Sequence, residues 1–262
     1  MVKFSVVMPT YNRAFCIVDA IRHILGQSFH DFELLIIDDG STDGTEALIK
    51  EKYPSEIKSG KIVYYKIINN AGVCAARNMG LRLAKNEWIC YADTDNAVRP
   101  NFLATFAKAI HENPTVKTFY AKMQYQTSGT VLGRPFDFKD LCQGNYIDMG
   151  VFCHHKSLVD EFGGFDMNIR RLVDYDLVLT YTKYCKPVFI DEVIMDYNDK
   201  NDFRRITNSE DGNMQYIYKK HGIDIKKTVY PKWIARIICC FIPSRRNRDC
   251  FMINHVKYKP KK

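Results

Sequence analysis

One feature constrains this chain more than any other: an alternation that runs through its first 115 residues. Continuous β-branched and apolar runs recur, and segments with apolar residues at helical intervals lie between them. KFSVVM at 3–8, FELLII at 32–37, residues 62–68 and EWICYA at 87–92 read as buried strands. Helical patterns fill 14–25, 45–52 and 73–85, and a fourth spans 102–111 after Pro100. In the first of these Ile17, Ala20, Ile21, Ile24 and Leu25 share a face, and Gly26 ends the helix. Asp43, three residues ahead of Glu46, predicts a capping box for the second. Strands alternating with helices of about a dozen residues imply an α/β fold built on a doubly wound, parallel sheet.

Beyond residue 115 the pattern is less regular. Residues 116–126 read as strand, 156–162 and 172–184 as helices, and 188–197 as extended chain. Neither an internal repeat nor a low-complexity linker interrupts the sequence, which predicts one continuous domain over 1–225 and an appended tail over 226–262.

The tail separates itself by charge. Residues 226–262 hold eleven Lys/Arg and one acid, Asp249, so they carry +10, whereas residues 1–225 carry −2. Trp233, Ile234, Ile237, Ile238 and Phe241 fall at near-helical spacing ahead of the bases Arg245, Arg246 and Arg248. A solvated basic terminus is the plain reading of such a stretch. An apolar helical face beside clustered bases also describes an element lying on an anionic membrane surface, and that reading is preferred here. Nucleic acid is set aside as a partner, because an apolar face has no use along a phosphate backbone.

An apolar content of 46% excludes a disordered, collagen-like or small disulfide-stapled chain. The longest apolar run, 233–242, contains Arg236 and is half the length of about 20 residues that a spanning helix requires. The opening residues lack the pattern of a secretory signal peptide. Nine cysteines without a CxxC pair predict reduced thiols and a cytoplasmic location.

In an open α/β sheet, ligands bind beyond the carboxyl ends of the strands. Pro9-Thr10-Tyr11-Asn12 follows the first strand, and neither a GxGxxG nor a GxxxxGK[ST] phosphate loop occurs. Asp38-Asp39 follows the second strand and Asp93-Thr94-Asp95 the fourth. Carboxylates converging on one edge need a cation or hydrogen-bond donors to compensate them. Asp-x-Asp at a strand end offers oxygens to a hard divalent ion, Mg or Mn, and a diphosphate bound with that metal would neutralise the cluster. Taken singly, Asp-Gly-Ser-Thr-Asp is also ordinary turn chemistry, and Arg77 in the third helix is an ordinary surface ion-pair residue. Their conjunction at the correct strand ends is what suggests a site.

These same segments carry a resemblance. VVMPTYN, IIDDGSTDGT, NNAGVCAARNMGL and YADTDN, in that order, resemble the signatures of the family-two glycosyltransferases, and GGFD at 163–166 followed by LVDYDL at 172–177 resembles their acceptor-side loop and base motif. The likeness spans about residues 3–180. Members are inverting enzymes with the GT-A fold that use nucleotide-diphosphate sugars. The resemblance implies a mixed GT-A sheet with a nucleotide-sugar half over 1–115 and an acceptor half over 116–225. It places Pro9, Thr10 and Tyr11 around the nucleotide base, with Tyr11 stacking and Asp39, in preference to Asp38, accepting from the base. Arg77 faces the donor, Asp93 faces the ribose or sugar, and Thr94 belongs to the same nucleotide-binding turn. Asp95, with Asp93, holds the divalent metal (Mn or Mg), and Asp174 is the catalytic base.

Val173 departs from the family, which has Glu there, so the way the acceptor hydroxyl is held stays open. His154 and His155 are second-rank candidate bases, read as surface residues beside Lys156. Arg204 and Arg205 are either diphosphate contacts or a solvated basic loop. The implied activity is metal-dependent, inverting hexosyl transfer from a UDP-sugar to a saccharide acceptor, lipid-linked, in cell-surface polysaccharide or glycolipid assembly at the inner face of the membrane. A nucleotidyltransferase would instead call for a glycine-rich loop after the first strand. A non-catalytic sugar-nucleotide or polysaccharide-binding module is the alternative from another class, and it would consume no donor.

Overall fold

Residues 1–200 and 213–224 are described by a computed structural model of the chain. The first two apolar runs become β1 (Phe4–Thr10) and β2 (Phe32–Asp38), parallel and in register from Phe4↔Phe32 to Thr10↔Asp38. β3 (Ile62–Lys66) adds to β2 and β4 (Trp88–Tyr91) to the other edge of β1, again parallel. The helices between them are α1 (Ile17–Leu25), α2 (Thr45–Lys52), the short α3 (Pro54–Lys58) and α4 (Val73–Leu83).

The second half changes direction. β5 (Ala97–Val98) and α5 (Phe102–Glu112) lead to β6 (Thr118–Tyr125), β7 (Val131–Leu132) and α6 (Phe138–Gln143). A 3-10 turn (Met149–Val151) then enters β8 (Phe152–His155), followed by α7 (Ser157–Phe162), α8 (Val173–Thr182), β9 (Val188–Tyr197) and α9 (Asn213–His221). Among the described residues the sheet runs β3-β2-β1-β4-β8-β6-β9-β5, with β7 on β6. β8 is antiparallel to both β4 and β6, so the parallel sheet expected of the first half becomes a mixed one. The chain divides into the units Met1–Ile217 and Tyr218–Lys262. The basic tail and Arg204 and Arg205 lie outside the described residues.

Strands buried on both faces need apolar residues at every position. Phe4, Val6 and Met8 join Leu34, Ile36 and Cys90 in a core closed by Ile17, Ile21 and Ile24 of α1 and Phe102 and Phe106 of α5. The intervening residues, Val7, Leu35, Ile37, Ile89 and Tyr91, are buried too. On their side α4 approaches β1 so closely that a Cβ on Gly80 would clash with the Val7 side chain. Glu33 is tolerated in buried β2 because it accepts from Ser5 Oγ (2.6 Å) and the Lys85 amide (2.7 Å).

The capping box expected at α2 does not form. Asp43 accepts from the Thr45 amide (3.0 Å) and the Ala14 amide (3.1 Å), while Glu46 reaches forward to Lys50 (2.6 Å) and across to Lys66 (2.9 Å). Lysines on both sides outcompete the backbone amide for that carboxylate.

Candidate active site

Three parallel strand ends set the floor of the site. Side by side at Thr10 and Asp38, β1 and β2 are extended by Asp39 N–H to Thr10 O (2.8 Å), and Ala92 N–H after β4 bonds Val7 O (3.0 Å). Asp38 is spent on structure, accepting from the Ser41 amide (2.7 Å) and Tyr64 hydroxyl (2.6 Å). Asp39 is buried, and its two oxygens accept from the Ala71 and Gly72 amides at 2.8 Å each, which ties the end of β2 to the start of α4. Each oxygen keeps a second lone pair for a ligand N–H. Burial raises the Asp39 carboxyl above its ordinary value, against the pull of the two amides. Next to it Gly40 has φ +81°, and a Cβ there would lie 3.0 Å from the Asn70 amide nitrogen, so only glycine fits.

Asn12 holds the loop after β1 to the loop after β2. With φ +51°, it donates its amide to Ser41 Oγ (2.9 Å) and accepts with Oδ1 from the Thr42 (2.8 Å) and Asp43 (3.3 Å) amides. Beside it Tyr11 is 46% exposed, which leaves its ring available for stacking, and Pro9 is half-buried. Thr10 is buried, with its hydroxyl oxygen unpartnered.

The second part of the site is a cation ringed by carboxylates. Arg77 of α4 is 5% exposed, bonds Asp93 Oδ1 through Nη2 (3.0 Å) and lies over the Phe165 ring at 5.2 Å. Burial works against its charge, but Asp93 and Asp174 more than offset that and raise its pKa. Asp174 lies in the first turn of α8, immediately after Leu172, a left-handed residue (φ +60°) at the N-cap. A leucine held there costs of order 1–2 kcal/mol, strain that sits two residues from the carboxylate. Asp174 Oδ2 accepts from Asn145 Nδ2 (3.2 Å), and its surroundings raise its pKa, burial first and Asp93 also, against Arg77. Asp176, two residues on, is buried at 1% exposure.

Asp148 is a third carboxylate of this group, one that sequence reasoning missed. It accepts from the Gly150 amide (2.8 Å), and desolvation followed by the charges of Asp174 and Asp93 pushes it up to about 7. A lone acid between Ile147 and Met149 at the mouth of an apolar run was its only sequence signal.

Asp93 and Asp95 are half-exposed while Thr94 and Asn96 are buried, and Asn96 Oδ1 fixes the turn by accepting from the Asn198 amide (3.0 Å). Among the described residues no three His, Cys, Asp or Glu side chains are grouped to hold a metal by themselves. Two carboxylates fit the chemistry of Mg or Mn, which is ordinarily held by one or two of them together with phosphate oxygens and water.

The expectation that His154 is a surface residue is overturned. It lies on β8 with no exposure, paired through Nε2 with the Tyr91 hydroxyl (2.8 Å) and through Nδ1 with His155 O (3.1 Å). A carbonyl only accepts, so Nδ1 carries the proton, Nε2 accepts from Tyr91, and neither nitrogen is left for catalysis. His155 is half-buried, with Nδ1 bonded to Ser157 Oγ (2.9 Å).

Burial depresses the His154 pKa to about 4. A folded value below the unfolded value of about 6.5 means that the unfolded chain binds the extra proton between those pH values, so stability is lost as pH falls through them. The expected loss is about 2 kcal/mol from pH 7 to pH 5 and about 3 kcal/mol in full. Urea titrations at pH 7 and 5 check this: His154→Phe, whatever its stability at pH 7, is expected to lose less over the same interval.

A GT-A sheet with an acidic turn and a helix-borne carboxylate gathered at its strand ends is the framework of a glycosyltransferase. The chain belongs to glycosyl transferase family 2, whose model matches residues 5–164. It is 23% identical over 261 residues to the glycosyltransferase GlyG of Streptococcus pneumoniae, covering 95% of this chain and 80% of that protein. To the putative colanic acid biosynthesis glycosyl transferase WcaA of Escherichia coli it is 26% identical over 234 residues, covering 83% and 80%. Among solved structures, S. aureus TarS 1–349 in complex with UDP-GlcNAc has a TM-score of 0.70 at 18% identity, covering 91% of this chain and 71% of that one. The mannosyltransferase PcManGT of Pyrobaculum calidifontis, in complex with GDP-Man and Mn2+, has a TM-score of 0.64 at 15% identity, covering 96% and 85%. These share the fold, mixed sheet included.

Proposed function

We propose that this glycosyltransferase moves a hexose from a UDP-sugar to a saccharide acceptor with inversion, in the assembly of a cell-surface polysaccharide. The observation that carries the reading is the meeting of Asp174 with Arg77 and Asp93 at the strand ends, a proton acceptor beside the nucleotide side of the pocket. WcaA, named for colanic acid biosynthesis, supports the polymer, and TarS with UDP-GlcNAc supports the donor class.

Inversion needs one displacement. The acceptor hydroxyl gives its proton to Asp174, its oxygen bonds the anomeric carbon, and the bond to the diphosphate oxygen breaks with its electron pair leaving on that oxygen. Arg77 pairs with Asp93 and fixes its position, and Asp39 and Tyr11 hold the nucleotide base. A divalent ion held by Asp95 and Asp93 would supply positive charge to the departing diphosphate. A nucleotide-sugar screen for donor consumption, with Mn and with EDTA, tests the whole reading. Binding of donors without consumption of any would make the chain a binding module instead.

Asp95→Ala is expected to abolish the gain in UDP affinity that Mn confers, with an unchanged thermal midpoint, because a turn carboxylate contributes little to stability. Calorimetry checks it, and equal UDP affinity of variant and wild type in Mn rejects the metal assignment. We further propose that residues 229–262 hold the enzyme on anionic membrane, each base near the surface contributing on the order of 1 kcal/mol. Their deletion is expected to reduce sedimentation with phosphatidylglycerol vesicles at low salt and to spare donor consumption; unchanged sedimentation excludes the anchor.

A further inference from the structure

Val173 leaves the carboxylate of Asp174 without an acidic neighbour on its N-terminal side, and the question of what orients it is answered from across the pocket. Asn145, 29 residues earlier, places its amide Nδ2 3.2 Å from Asp174 Oδ2. Its other amide atom is committed: Oδ1 accepts from the Ile147 amide at 3.1 Å, closing a local Asx turn. Because a backbone N–H only donates, that bond fixes which end of the side chain is oxygen, and so fixes an N–H toward the carboxylate.

We propose that Asn145 is a positioning residue for the base. Its N–H to Oδ2 of Asp174 reaches the carboxylate from another loop and adds to the backbone amides of Asp174 and Tyr175, which also bond the carboxylate. The inference rests on the reading of Asp174 as base and deepens it. Charged groups of both signs face Asp174 as well. Arg77 from α4 favours the ionised form, Asp93 after β4 disfavours it, and Asp148, from the same loop as Asn145, is in turn raised by Asp174. A side-chain donor from another loop helps to fix the direction of the carboxylate without adding charge.

The two roles open to Asn145, closing a turn or aiming the base, respond oppositely to one substitution. Asn145→Asp retains an oxygen for the Ile147 amide but sets a carboxylate against Asp174, whereas Asn145→Ala removes both bonds. Donor consumption is measured at pH 8 with UDP-GlcNAc or GDP-mannose, whichever the wild type uses. Asn145→Ala is expected to lower kcat about 10-fold or more with little change in donor KM, and Asn145→Asp to lower kcat further. A structural role predicts that Asn145→Asp is near wild type, and that result overturns the proposal.

A second measurement requires no donor. In metal-free protein labelled with 13C at Asp carboxyls, the signal missing from Asp174→Asn reports the base. Its midpoint is expected to rise in Asn145→Ala, because the ionised form loses a donor; an unmoved midpoint also overturns the proposal. Failure of the base reading is distinguishable, since Asp174→Asn would then consume donor at the wild-type rate.

Discussion

Replacing Asp174 by Asn is expected to slow sugar transfer by about 10²–10⁴-fold, the usual contribution of a general base, while nucleotide binding stays intact. The substitution keeps the shape of the side chain and, after rotation of the amide, an oxygen toward Asn145, so folding is spared. An acid in the first turn of a helix also interacts favourably with the helix dipole, worth about 0.3–1 kcal/mol, and its loss would show as a small fall in stability alone. Steady-state rates and UDP titrations on one preparation separate the two effects. Wild-type turnover in Asp174→Asn would move the base elsewhere. Asp148 would be next to test, because it lies in the same group and is pushed up to about 7.

Arg77→Met carries the second large effect. Removing a buried partner from an ion pair typically costs 3–5 kcal/mol, and with the Asp93 side chain 28% exposed, a loss of about 2–3 kcal/mol at pH 7.5 is expected. Asp148 and Asp174, already raised mainly by burial, then lose the opposing charge of Arg77, so their folded-state pKa values rise further above the unfolded ones. Stability is consequently lost as pH rises, and the deficit is expected to shrink at pH 5. Urea unfolding at both pH values reads this directly. A variant as stable as wild type at pH 7.5 would show that the guanidinium does not balance the cluster.

The first half of the chain was largely legible in the sequence because its signals are local. Phe4–Thr10, Phe32–Asp38 and Trp88–Tyr91 are mostly apolar, as strands covered on both faces must be, with Ser5 and Glu33 paired to each other, and the residues that follow them are the candidates the sequence offered. The second half is built from long-range pairings that leave little local trace. β5 and β7 have two residues each and exist only through β9 and β6. β8 hides two histidines in four residues, and His154 is admitted to the core by one hydroxyl, that of Tyr91, 63 residues away. Glu46 had the spacing of a capping box, and Lys66 on a neighbouring strand outweighed it. Asn145 and Asp148 belong to the site through a loop whose path no periodicity foretells.

The bonds that join the three donor-side loops have a thermodynamic consequence. Asn12 fastens the first loop to the second, and Asp39 fastens the second to the start of α4, all with backbone amides. Ordering a loop residue takes about 1–2 kcal/mol of conformational entropy, and here that ordering is completed when the chain folds rather than when the donor arrives. On the reading proposed above, a nucleotide would meet loops already joined to one another, and little of its affinity would be lost to ordering them. Loops so braced would, on the same reading, adapt poorly to a nucleotide base that Asp39 and Tyr11 do not match.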